Sequence, residues 1–328
     1  MPEAIEIRCL RAGLRSAAIA AVTLAMTTVA QAETTVRVGK VGTDFTFYPA
    51  DFGMENGIFQ KHGIELDIYE IGGAQIVQTM VTGNADIGLM GGTQLAYIAN
   101  GVPISAVGAL SNSPYGFVLI APSASDVHSA ADLKGGTISI SRPKSLTEWV
   151  ASNVAISQGW PVSDLSFVGV GGDAERVAAT VTGEADAALV SIEVARPLVE
   201  KGDMRIVASF GELIPDFHNQ IIFAANDFIE KQPEALRSFL TAWYETVQYM
   251  RDHRDEVVSA YAKDMQISEE DAAYVYDALM ATDYMSLDGR FNETAIKLMD
   301  EMFVQYGQTE KPFPSDQYTN EQYLPNAM

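Results

Sequence analysis

The stretch "VTGNADIGLM" at residues 81–90 recurs one hundred residues later as "VTGEADAALV" at residues 181–190. A Gly-Gly pair precedes each copy, Gly72-Gly73 and Gly171-Gly172, and apolar residues at helical spacing follow it. A chain that writes helix, glycine and buried strand twice builds two similar α/β lobes. In the first, "TVRVGKV" alternates as a strand does, and a helix is predicted over residues 49–62, with proline in its first turn and Gly63 closing it. "IELDIYEI" is a second strand, and a helix over residues 75–82 carries Ile76, Val77, Met80 and Val81 on one face. "ADIGLM" and the helix in "GGTQLAYIANG" follow. In the second, "GTISIS", "LTEWVASNVAISQG", "LSFVGVGG", "DAERVAATVTG" and "ADAALVS" repeat the alternation. Strand–helix alternation of this kind predicts a parallel sheet in each lobe.

The last hundred residues read as helices: "DFIEKQPEALRSFLTAWYETVQYMRDH", "DEVVSAYAKDM", "SEEDAAYVYDALMATDY" and "NETAIKLMDEMFVQYG". Asp227-x-x-Glu230 and Ser268-x-x-Asp271 have the spacing of N-terminal caps. The tail after Gly307, rich in Pro, Tyr and Asn, is expected to cross the surface as an irregular strap.

Before the first strand, Arg8, Arg11 and Arg15 precede the apolar run "SAAIAAVTLAMTTVA", which ends in Ala30-Gln31-Ala32. A positive flank, a short apolar core and an A-x-A site are the pattern of a secretory signal, here over residues 1–32 and cleaved after Ala32. The run is shorter than the roughly 20 apolar residues of a membrane span. The only cysteine, Cys9, lies inside the signal and not at its end. A soluble exported chain without thiols follows, which excludes disulfides, zinc-thiolate sites and thiol catalysis from the mature form. The full chain carries a formal net charge of −22, and loss of three arginines and two glutamates with the signal makes it one unit more negative. Nucleic acid is therefore excluded as a partner, since it demands a basic footprint. A small anion is not, because a pocket need not share the global sign.

The stretch "YPADFGMENGIFQKHGIELDIYEIGGAQIVQTMVTGNADIGLMG" resembles the opening of the periplasmic solute-binding proteins of the nitrate/sulfonate/taurine/thiamine-precursor group. "SAADLKGGTISIS", "GGDAERVAATVTGEADAALV", "ANDFIEKQPEALRSFL" and "YLPNA" continue the resemblance in order. It implies the α/β, two-lobed fold of the type II periplasmic binding proteins, two doubly wound sheets joined by two crossing strands near residues 114–122 and 219–225. Lobe 1 would comprise residues 33–115 and 222–328, including the C-terminal helices, and lobe 2 residues 116–221. It also implies a monomer that closes over a small-molecule solute by hinge motion in the periplasm. The partners would be an inner-membrane ABC permease and its cytoplasmic ATPase.

In open α/β sheets, ligands bind beyond the carboxyl ends of the strands, so the loops there supply the candidates. "GTDFTFY" offers Asp44, Phe45 and Tyr48, as an aromatic clamp or as plugs of the lobe interior. "GGTQ" offers Gly92, Thr93 and Gln94, either as open backbone N–H groups for an anion or as a tight turn with Thr93 as cap. Before the first crossing come Asn112 and Tyr115, and Asn112 is equally a turn former. "RPKSLTEW" contributes Arg142, Lys144, Ser145 and Thr147, while Glu148 has capping-box spacing from Ser145. Arg142 and Lys144 are the counter-charges an anion would need; without one they are solvated loop charges. Gly171-Gly172-Asp173 and Ser191-Ile192-Glu193 close the cleft, where relatives carry a tryptophan and this chain reads "VSIEVARP". His218 and Asn219 stand beside the second crossing.

No H-E-x-x-H, G-x-S-x-G or P-loop pattern occurs, and the four histidines are scattered. No enzyme activity, cofactor or metal is expected. The reading is therefore capture of a small organic solute, with the balance tipped to a sulfonate/taurine-like or carboxylate anion. A pyrimidine-like or aromatic solute facing Asp44 and Glu193 is the alternative. Sensing without transport would use the same cleft.

Overall fold

Two five-stranded sheets of the same topology form the frame. The computed structural model describes residues 33–325 apart from 281 and 283, so the signal-sequence reading lies outside the described residues. The first sheet begins with β1 (Thr34–Lys40), β2 (Ile64–Glu70), β3 (Ile87–Gly91) and β4 (Ile104–Ala109). The second holds β5 (Phe117–Pro122), β6 (Thr137–Ile140), β7 (Ser166–Gly169), β8 (Ala187–Ser191) and β9 (Met204–Ser209). The chain then returns to the first as β10 (Gln220–Ala225). The strand orders are β2-β1-β3-β10-β4 and β7-β6-β8-β5-β9, and each maps onto the other.

The duplicated motif is what locks each sheet. Gly83 and Gly183 take φ of +73° and +77° to end their helices, a conformation that favours glycine. The aspartate three residues on then clamps the neighbouring strand. Asp86 Oδ2 accepts from the Arg37 amide at 2.9 Å, and Asp186 Oδ2 from the Thr137 amide at 2.7 Å. Both aspartates also donate their own amides back to those residues. Strand register follows the same offset of one hundred: Val38 faces Ile87, and Ile138 faces Ala187.

The sheets are mixed rather than parallel. β10 runs antiparallel to β3 and β4, and β5 antiparallel to β8 and β9. Each of these strands arrives from the other lobe without the helical crossover that would return the chain to the same sheet end. Both crossing strands lie wholly inside the sheet they enter. The connections themselves precede them and run side by side, with the Leu110 and Ser111 amides donating to the Gln220 carbonyl at 3.0 and 3.2 Å.

Two helix predictions and one cap change. The helix over residues 49–62 is two, Tyr48–Glu55 and Ile58–Lys61, broken where Gly57 takes φ +70°. The long helix predicted from Asp227 is also two, Asn226–Lys231 and Pro233–Asp252, because the residue before a proline is forced out of helical geometry. Asp227 caps nothing and pairs instead with Lys231 at 2.7 Å, since the helix starts one residue before it. Ser268 and Asp271 do form their cap, at 2.6 and 3.0 Å. The tail runs as an irregular strap with two short 3-10 turns and a bridge from Thr319 to Ala106. Among the described residues no helix is long and apolar enough to cross a membrane.

Candidate functional site

The two lobes meet at the carboxyl ends of β1, β3, β6 and β8, and the loops there pair crosswise. The loop after β1 faces the loop after β8, bringing Asp44 together with Glu193. The loop after β3 faces the loop after β6, bringing Thr93 and Gln94 together with Arg142.

Asp44 and Glu193 jointly line two adjoining cavities of about 290 and 280 Å³. Ser191 belongs to both, Tyr261 to the first, and Asp173, Asn219, Gln220 and Tyr284 to the second. The Asp44 carboxylate accepts the Thr46 amide at 3.0 Å, and the Thr46 hydroxyl meets the Tyr284 hydroxyl at 2.6 Å. Glu193 lies in the first turn of the helix Ile192–Glu200, and the Phe45 backbone of the opposite lobe slightly favours its ionised form. Each side chain keeps some exposed surface, yet protein from both lobes surrounds it. Burial, then the Asp44 charge, pushes the Glu193 carboxyl up to about 8. Burial likewise raises Asp44, against the opposing pull of its Thr46 hydrogen bonds and Lys40.

In the second cavity the buried polar atoms without a partner are acceptors, while the first holds one unpartnered donor, Arg196 Nε, and one further unpartnered acceptor, Asp271 Oδ1. Asn219, 3% exposed, and Gln220 present side-chain oxygens that are buried and without a hydrogen-bond partner. The second cavity asks for a ligand that donates.

A separate cavity of about 290 Å³ has the opposite character. Thr93, Gln94, Tyr97 and Asn100 line it from the first lobe, and Arg142 from the second, with Gln308 of the tail. Among the described residues Arg142 has no ion-pair or hydrogen-bond partner.

Several expected site residues are occupied otherwise. Phe45 and Tyr48 are buried in an aromatic cluster with Tyr261, whose ring lies 5.0 and 4.9 Å from theirs, and the Tyr48 hydroxyl donates to Asp264 at 2.7 Å. They are the plugs, not the clamp. The Gly92 amide donates to the Asn219 carbonyl at 2.8 Å, so it is not open to an anion. His218 uses both ring nitrogens: Nδ1 donates to the Ser111 carbonyl at 2.8 Å and Nε2 accepts the Asn292 amide at 2.8 Å. Fully buried, it is a neutral pin of the crossing, its pKa lowered by burial, and not a ligand contact. Ser145 and Thr147 turn their hydroxyls on each other at 2.8 Å and on Ser141, which shapes the loop. Ser145 also caps the Glu148 amide at 3.4 Å, while Glu148 takes the Lys144 amide at 2.9 Å, so the expected capping role holds. Lys144 is exposed with φ +57°. The Asn112 amide is bonded to the Tyr284 carbonyl at 2.8 Å, and Tyr115 packs its ring over Gly211. Tyr261, Tyr284 and Gln308 had no signal in the loop pattern, because they lie in the C-terminal segment and not behind a strand. Among the described residues no group of three or more His, Cys, Asp or Glu could hold a metal ion.

Gly92→Ala tests the close approach that sets this geometry. An added Cβ would lie 2.2 Å from the His218 carbonyl oxygen and 2.3 Å from Met299 Cε. A loss of about 1–3 kcal/mol is expected, read as a lower melting temperature.

A family model described as NMT1/THI5 like matches residues 45–257. YtlA of Bacillus subtilis (strain 168), described as a binding protein, is 23% identical over 300 residues, covering 88% of each chain. The periplasmic aliphatic sulphonate binding protein SsuA from Escherichia coli matches with a TM-score of 0.73 at 18% identity, over 88% of this chain and 92% of that one. The desulfurization enzyme DSZB matches with a TM-score of 0.62 at 15% identity, over 90% and 99%. The fold is that of the periplasmic binding proteins, and it is shared by at least one enzyme.

Proposed function

Because the chain belongs to the NMT1/THI5-like family, we propose that it is the periplasmic substrate-binding subunit of an ABC importer. Its lobes, divided near residues 115 and 222, close on a small solute and present it to a membrane permease. Capture rather than turnover is supported by relatives described as binding proteins. Residues 1–32 would direct export.

The solute is one that donates hydrogen bonds through nitrogen, an amine or an amino-substituted heterocycle. One observation carries this: Asp44 and Glu193 converge from opposite lobes on the second cavity, whose buried unpartnered polar atoms, on Asn219 and Gln220, are also acceptors. A sulfonate placed in that cavity would face two carboxyls and two amide oxygens, the Arg196 guanidinium lining only the adjoining cavity. The geometry thus favours the heterocycle-like alternative over the simple anion at this position.

A thermal-shift panel of alkylamines, aminopyrimidines and alkanesulfonates tests the reading. A compound at about 100 times its dissociation constant adds roughly 2.7 kcal/mol and raises the melting temperature by a few degrees. Amino compounds are expected to give that shift, and Glu193→Gln to remove most of it. Stabilisation by sulfonates alone, unchanged in Glu193→Gln, would sink the assignment.

A further inference from the structure

The crosswise pairing of the loops has a second half. An offset of one hundred relates Asp44 to Lys144 and Thr93 to Glu193, so exchanging the lobes turns the Asp44–Glu193 encounter into one between Lys144's loop and Thr93's. That encounter is the cavity walled by Thr93, Gln94, Tyr97, Asn100, Arg142 and Gln308. The duplication that built one ligand-facing junction therefore built two, and the side chains have since diverged in polarity. One junction sets two carboxyls and two amide oxygens beside Arg196, whose Nη2 already pairs with Glu200. The other offers a guanidinium, and with it a threonine hydroxyl and a glutamine amide.

The donors there are little used. The Thr93 hydroxyl donates only a long bond to Gln94 Oε1 at 3.3 Å. The Asn100 amide nitrogen is spent on the Ala96 and Gln308 carbonyls at 2.7 and 3.0 Å, which ties the tail against the cavity wall. Among the described residues Arg142 is left without an acid partner in a chain of net charge −22, where most of the other described arginines have one. A fork of N–H donors beside a polar cavity matches a planar carboxylate.

We propose that the Arg142 cavity is the carboxylate-accepting half of the ligand site, so that the solute is dipolar: its donor end faces Asp44 and Glu193, and its carboxylate faces Arg142. This rests on the reading of the acidic half given above, and it narrows the solute class to amino-carboxylates.

Isothermal titration of the purified protein with 4-aminobutanoate, n-butylammonium and acetate separates the two claims. 4-Aminobutanoate is expected to bind about ten-fold or more tighter than n-butylammonium, as a charged hydrogen-bonded pair implies. In Arg142→Gln that ratio should fall to within about two-fold of unity. Arg142 is exposed, so circular dichroism should report an unchanged fold. A ratio near unity in the parent protein, or one that survives in Arg142→Gln, overturns the proposal while leaving the acidic half standing. If n-butylammonium does not bind at all, the acidic half fails, and acetate then decides alone. Saturable acetate binding lost in Arg142→Gln supports the carboxylate site; no acetate binding, or binding that the variant keeps, overturns it.

Discussion

Arg176→Met is expected to lower the unfolding free energy by about 3–5 kcal/mol, the range for breaking one side of a buried ion pair. Arg176 is 4% exposed, and each of its three guanidinium nitrogens donates a hydrogen bond. Nε donates to the Leu189 carbonyl at 2.6 Å, Nη1 to the Gly171 carbonyl at 2.7 Å, and Nη2 to the Asp173 carboxylate. Burial lowers its pKa while Asp173 and Glu175 oppose that pull, and an arginine stays charged regardless. Methionine fills similar volume but leaves two carbonyls and a carboxylate without donors. The consequence reaches the site, because Asp173 Oδ2 is the acceptor for the Ser191 amide at 2.7 Å. Ser191 starts the helix that carries Glu193. Urea denaturation measures the stability loss, and a weaker thermal shift with an amine probe reads the displaced Glu193. A change below about 1 kcal/mol would mean that water replaces the guanidinium, and that the strut is dispensable. Lobe 1 has no equivalent: Gly73 and Ile76 stand at the positions of Asp173 and Arg176. The acidic half of the cleft is thus braced by a device found in only one copy of the repeat.

What could be read without coordinates divides along the same line, between local pattern and distant partner. The repeat, its glycines and the strands it ends in were legible because each is decided within about ten residues. The sense of β5 and β10 was not, because it depends on which lobe the chain has just left. Nor were β4 and β9 recognised, since their short apolar runs carry no alternation. Asp44, Glu193, Thr93, Gln94 and Arg142 came under consideration because loops behind strands are where ligands bind, and all five line cavities. Phe45, Tyr48, Gly92 and His218 sit in those same loops, yet partners far along the chain claim them. Tyr261 and Asp264 cover the aromatic pair, Asn219 takes the Gly92 amide, and Asn292 closes the ring of His218. No local pattern separates a loop residue that faces the cleft from one held by a helix more than two hundred residues away.

The protonation of Glu193 is expected to couple solute capture to pH. With its carboxyl raised to about 8 by burial and by Asp44, Glu193 is protonated at neutral pH in the free protein. Asp173 adds to the push, and Arg196 and Tyr261 share the cavity wall with it. The sign for folding follows directly. A carboxyl that holds its proton more tightly when folded stabilises the protein fully below its ordinary range, and that stability is lost as pH rises toward about 8. The melting temperature of the free protein should therefore fall between pH 5 and 8 (roughly, the interval between the two proton affinities), and Glu193→Gln should flatten that fall. A cationic solute favours the ionised form, so its arrival must expel the proton. Below about pH 8, binding should release up to about one proton, and affinity should rise by as much as about ten-fold per pH unit before levelling off. Calorimetry at pH 6.5 (about midway) in buffers of different ionisation enthalpy counts the protons. Release in the parent protein and none in Glu193→Gln is the expected result; equal release in both would assign the linkage to Asp44. No release at any pH would mean that the solute arrives without a positive charge to offer, and that a neutral N–H donor is what the two carboxyls select.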